Sequence, residues 1–143
     1  FLELSGCQSM KILLLLLLLA VLVALYDLRH ARIPNWVTLP LILFGSFTNL
    51  PKPWYVLFFL AAFLLFWKER WMGGGDVKLW AGIILVLPAT ETTLWALPFT
   101  FFSTGLIQLL WRKMSGEVVT GRRTPAAWRT VVYLLILVST HAY

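Results

Sequence analysis

A chain of 143 residues has room for one domain, and this one is 60% hydrophobic and only 13% charged. A soluble fold of that size could not hide so much apolar surface, so the bilayer is the expected solvent. The net charge of +6 does not point to nucleic acid, because the basic residues sit in short loops between apolar runs, with no basic and aromatic face.

Cys7 is the single cysteine, which rules out an intrachain disulfide and a four-cysteine zinc site. Residues 1–9 precede Met10, a natural-looking start, and are expected to be a tag, a misplaced start or a disordered lead-in. Leu4-Ser5-Gly6-Cys7 is similar to a lipoprotein cleavage box but lacks the apolar stretch that must precede one. Residues 10–143 then form a single membrane domain.

Apolar runs predict membrane helices over residues 11–26, 36–50, 54–67, 77–90, 93–111 and 126–141. The fold class is therefore all-α, a polytopic integral membrane protein with about six transmembrane helices. The first run also resembles a secretory signal, but a cut after Ala24 would put Leu22 where signal peptidase requires a small residue. It is read as a retained helix. Several runs are shorter than the ~20 residues of a full span, a mismatch that tilt and local thinning absorb. Pro40, Pro88 and Pro98 fall inside runs, as membrane helices tolerate, and Trp54, Trp67, Trp71, Trp111 and Trp128 near run ends form an interfacial belt.

The loops set the orientation. One side carries Arg29, Arg32, Lys68, Arg70, Lys78, Arg112, Lys113, Arg122, Arg123 and Arg129, the other only Lys11 and Lys52. The first side is therefore cytoplasmic. In that topology Asp27, closing the first helix, and Asp76, opening the fourth, reach the same face at equal depth. An ionisable residue at a membrane segment is costly and marks a functional site by default, and two carboxylates brought together is what aspartic proteolysis requires.

Each acid has a distinctive setting. Asp27 is followed by Arg29, Arg32, Ile33, Pro34 and Asn35; Pro34 holds Ile33 extended, and Asn35 is the expected N-cap of helix 2. The arginines and His30 need no explanation beyond an ordinary cytoplasmic turn, and His30, Glu91 and His141 are given no role. Asp76 follows Gly73, Gly74 and Gly75. Three residues without Cβ allow positive φ and close backbone approach, so that an extended peptide could lie beside the carboxylate. The plainer alternative is a flexible loop into an acid that favours the helix dipole. Lys78 points about 200° away from Asp76 on a regular helix and is read as a snorkelling residue, or an anchor for substrate or lipid headgroup.

Together these segments resemble the type IV prepilin peptidase family, membrane aspartyl proteases of the GxGD type. The resemblance rests on Asp27, Arg29, Arg32, Ile33, Pro34 and Asn35, then on Gly73, Gly75, Asp76, Lys78 and Leu79, and follows the helix layout over most of residues 10–143. Thr124-Pro125-Ala126 resembles a proline-containing segment late in the family. The resemblance implies catalysis by Asp27 and Asp76 beside an active-site loop of Gly73, Gly74 and Gly75, with Lys78, Pro34 and Asn35 supporting structure or substrate. It implies no metal or organic cofactor. Its substrate would be a prepilin or pilin-like protein, cut after a glycine between a short basic leader and an apolar helix, at the cytoplasmic face of a bacterial or archaeal membrane. Larger members carry a cysteine-rich cytoplasmic insert linked to N-methylation; lacking it, this chain is similar to the short peptidase-only form serving Tad/Flp-type pili.

Three other readings share the features. The same aspartates could bind protons or cations in a coupled transporter subunit, although no internal repeat is found and both acids lie near one face. The chain could be a non-catalytic assembly protein of a pilus or secretion apparatus, or another GxGD protease such as a preflagellin peptidase.

Overall fold

A computed structural model describes residues 6–30, 32–48, 54–70, 72–87, 91–116 and 127–141. These residues form six helices and no strand: α1 Gly6–His30, α2 Asn35–Phe47, α3 Trp54–Lys68, α4 Gly74–Val86, α5 Glu91–Met114 and α6 Trp128–His141. Every apolar run becomes a helix, with shifted edges. The first helix starts at Gly6, so residues 6–9 of the expected lead-in are helical, while residues 1–5 lie outside the described residues. The fourth begins at Gly74, ahead of the expected position, because two glycines and Asp76 are wound into its first turn. Pro40 and Pro98 lie within α2 and α5, whereas Pro88 and Trp71 fall outside the described residues.

The stops are local. At the end of α3, Arg70 takes a left-handed conformation (φ 59°), and the Met72 N–H reaches back to the Phe66 carbonyl at 3.3 Å. That reversal delivers the chain to Gly73 and α4. Gly116, at φ 68°, closes α5 in the same way without the steric cost that Arg70 bears.

Helix α4 is the spine. It packs against α2 and α3, while α6 packs against α1 and α5. Its residues Val77, Leu79, Trp80 and Gly82 through Val86 are buried, as expected of a helix that is apolar on every side. Trp80 joins the two groups: its ring lies 6.0 Å from Phe63 on α3, 5.9 Å from Phe101 on α5 and 5.4 Å from Tyr133 on α6. The Tyr133 hydroxyl is satisfied by the Thr93 carbonyl at 3.3 Å. Buried Thr100 and Thr104 donate to carbonyls of their own helix, at 2.7 Å and 2.6 Å, which spares unpaired hydroxyls in an apolar interior.

The outer faces are apolar as well. Leu15, Leu18, Trp36, Phe47, Phe99 and Trp111 are each more than half exposed. Among the described residues one helix, Met10–His30, is long and apolar enough to cross a membrane unaided; Asn35–Phe47, Trp54–Lys68 and Trp128–Thr140 are apolar but shorter.

Two glycines set the spacing of α2 and α4. A Cβ on Gly45 would stand 2.6 Å from Leu85 Cβ and 3.0 Å from its backbone carbon; one on Gly82 would stand 2.8 Å from Leu41 Cδ2. The Gly45 contact is with a helix backbone that cannot rotate away. Gly45→Ala is therefore expected to destabilise the bundle by about 1–3 kcal/mol, the usual cost of overpacking. Gly105→Ala, whose Cβ would meet only Arg129 Nη1 at 3.8 Å, is expected to be neutral or mildly stabilising. Thermal unfolding in detergent compares the two.

Candidate active site

Asp27 lies one turn before the end of α1. It is 4% exposed, while its neighbours Tyr26 and Leu28 are 40% and 59% exposed, so its carboxylate faces the bundle. There Oδ2 accepts a hydrogen bond from the Ala127 N–H at 3.3 Å. The first N–H groups of a helix have no partner within it, and here a carboxylate from α1 serves the start of α6. Asp76 sits in the first turn of α4, half-buried, where the helix dipole favours negative charge. Asp27 and Asp76 are within Coulombic range of each other. The structure thus brings together the two acids that the sequence singles out.

The glycines work differently from expectation. Gly73 is the N-cap of α4, with φ −68° and ψ 146°, and among the described glycines only Gly116 has positive φ. Gly74 and Gly75 are helical, so the run is neither a free loop nor a left-handed turn. What each glycine supplies is space. A Cβ on Gly73 would lie 3.2 Å from Asp76 Oδ2; on Gly74, 3.3 Å from Trp67 Nε1; and on Gly75, 3.0 Å from Ile33 Cβ. The run lets α4 enter against the end of α3 and the start of α2, and leaves Asp76 unhindered on one side.

Pro34, at φ −72° and ψ 130°, occupies the N-cap position of α2 and makes no side-chain cap. Asn35, expected there, is instead the first helical residue. Its side chain is engaged elsewhere: Asn35 Oδ1 accepts from Lys78 Nζ at 3.1 Å. Lys78 therefore points away from Asp76, as helix geometry requires, and ties α4 to the start of α2.

Sequence reading passes over two residues. Arg129, counted there only as a cytoplasmic charge, lies in the first turn of α6, half-buried and within Coulombic range of Asp76. Its Nε donates to Gln108 Oε1 at 2.9 Å, its Nη2 donates to the same oxygen, and its guanidinium lies 6.0 Å from the Phe101 ring centroid. Gln108, on α5, carries no signal of its own. The only hint is the spacing of Arg129 from Ala127, which puts both in the opening turn of one helix. Thr124, Pro125 and Ala126 lie outside the described residues.

All six helices contribute an end to this region, and every polar contact just described is made there. Among the described residues no three His, Cys, Asp or Glu side chains cluster as a metal site. The two acids lie within Coulombic range of each other at this end of the bundle.

Residues 13–112 match the model of the type IV leader peptidase family. The chain belongs to this family. Its activity is accordingly that of a type IV leader peptidase-type protease. Searches of curated proteins and of solved structures returned no match. The matched span contains both acids, the glycines and Gln108, and ends before α6, which brings Ala127 and Arg129.

Because a methyl group on Gly73 would press on Asp76 Oδ2, Gly73→Ala is expected to lower kcat for leader cleavage on the order of tenfold, through misplacement of one acid. Stability should change by no more than about 1 kcal/mol, the cost of an alanine at an N-cap. Initial rates together with a thermal melt check both parts.

Proposed function

We propose that this protein is a multi-pass aspartic endopeptidase of the cytoplasmic membrane, which removes the short leader from Tad/Flp-type prepilins or pilin-like proteins. The observation that carries the proposal is the convergence of Asp27 and Asp76 from separate helices at one end of the bundle. The apolar outer faces of the helices support a lipid environment. The site end also bears Arg29, Arg32, Lys68 and Lys113, which supports placing it toward the cytoplasm. Both acids lie near helix ends rather than at mid-height, a placement that favours peptide hydrolysis over ion transport.

In the mechanism proposed, the two carboxylates hold one proton between them. The ionised member takes a proton from a water held between them as the water oxygen attacks the scissile carbonyl carbon. The protonated member donates to the oxyanion that develops. Collapse of the tetrahedral intermediate breaks the C–N bond, a proton passes to the leaving amine, and a leader carboxylate and a new amino terminus result. Exclusion of bulk water strengthens each of these interactions.

The substrate follows from the same geometry. An apolar pilin helix docks laterally among membrane helices, while its basic leader stays in water at the cytoplasmic face. A glycine at the cut eases the local unwinding that attack requires. Only residues 31–34 separate α1 from α2, which leaves no room there for a cysteine-rich methyltransferase insert; cleavage without N-methylation is the activity proposed.

Co-expression with a prepilin, followed by a gel shift, tests the reading. Asp27→Asn and Asp76→Asn are each expected to reduce cleavage by at least about a thousandfold, with normal amounts of protein in the membrane. Leader removal by either variant would reject the paired-acid mechanism.

A further inference from the structure

We propose that Arg129 is a positioning residue of the peptidase, holding a fixed positive charge beside the Asp27/Asp76 pair, with Gln108 as its clamp. The inference deepens the peptidase reading above and rests on it.

Three observations place the guanidinium. The Ala127 N–H, two residues before Arg129, donates to Asp27 Oδ2, so the opening turn of α6 abuts Asp27. Nε and Nη2 of Arg129 both donate to Gln108 Oε1, which fixes the plane of the side chain against α5. The Phe101 ring, itself packed on Trp80 of α4, lies beneath the guanidinium. Among the described residues, the charged groups that act on Asp76 are Asp27 from α1 and Arg129 from α6, while Lys78, on α4 itself, is directed to Asn35.

The charge count gives the role. A pair of carboxylates sharing one proton carries a single negative charge, and a buried charge is costly unless it is paired. Arg129 neutralises the cluster without taking a proton, because its guanidinium stays charged and donates no proton at working pH. It also opposes the charge that grows on the intermediate's oxygen, from a position that needs no rearrangement during the reaction. A neutral partner for Arg129 is essential to this design. Gln108 orients the guanidinium without cancelling its charge, which a carboxylate at that position would do.

The competing explanation is a structural tie between α5 and α6, and steady-state kinetics on the full chain with a purified prepilin separate the two. Arg129→Gln is expected to lower kcat on the order of tenfold or more with KM within about twofold, and Arg129→Lys to restore most of it. Gln108→Glu is the sharper variant: it strengthens the tie to Arg129 while cancelling the charge, so kcat should fall by a similar factor with the melting temperature unchanged or raised. Wild-type kcat in Gln108→Glu, or equal losses in Arg129→Lys and Arg129→Gln, would overturn the inference. Asp76→Asn assayed alongside distinguishes the two levels of failure. If it is inactive while Gln108→Glu is normal, only the role of Arg129 is lost; if it still cleaves, the paired-acid reading falls first.

Discussion

A carboxylate taken out of water must find a hydrogen-bond donor, a counter-charge or a proton, and this bundle has to meet that requirement twice at one end. Asp27 meets it with the backbone N–H of Ala127 at the start of α6. Asp76 meets it with its place in the first turn of α4 and with the nearby Arg129. Both solutions draw on the opening turn of α6, so the pair is fully compensated only when α1, α4 and α6 are assembled.

The position of α4 makes that assembly achievable. Being apolar on all sides, it is driven to the centre, and Gly45 and Gly82 let α2 lie close against it. The three glycines before Asp76 extend the same logic to the helix start, where side chains would hold α4 away from Ile33 and Trp67. Trp80 then carries the packing across to α3, α5 and α6 through one aromatic cluster. A polar end above an apolar spine is the result, and the chemistry is confined to that end.

Much of this is legible in the residues. Apolar runs broken by basic loops mark six helices, and the alternation of their directions puts Asp27 and Asp76 on one face. What escapes is whatever depends on contacts between helices. Asn35 has the side chain of an N-cap, yet Lys78, distant in sequence, captures its amide oxygen and Pro34 takes the cap position. The glycine run invites a reading in terms of backbone freedom, but its conformations are ordinary and its role is steric, which no local rule reveals. Arg129 is hidden for a different reason. Counting loop charges to orient the chain absorbs every arginine, and only the packing of α6 on α1 and α5 separates this one from the rest. Gln108 is one of several uncharged polar residues in the fifth apolar run, and its tie to Arg129 exists only once the fold brings α6 beside α5.

The meeting of Asp27 and Asp76 is the claim on which the whole account stands, and it can be measured without any substrate. In a Cys7→Ser background, cysteines replacing both aspartates are treated in native membranes with a short thiol-bridging reagent, and a protease site inserted between α2 and α3 is then cut. The two fragments are expected to stay joined, with no joining when either cysteine is absent. Fragments that separate in full, from protein still inserted and folded, would contradict it.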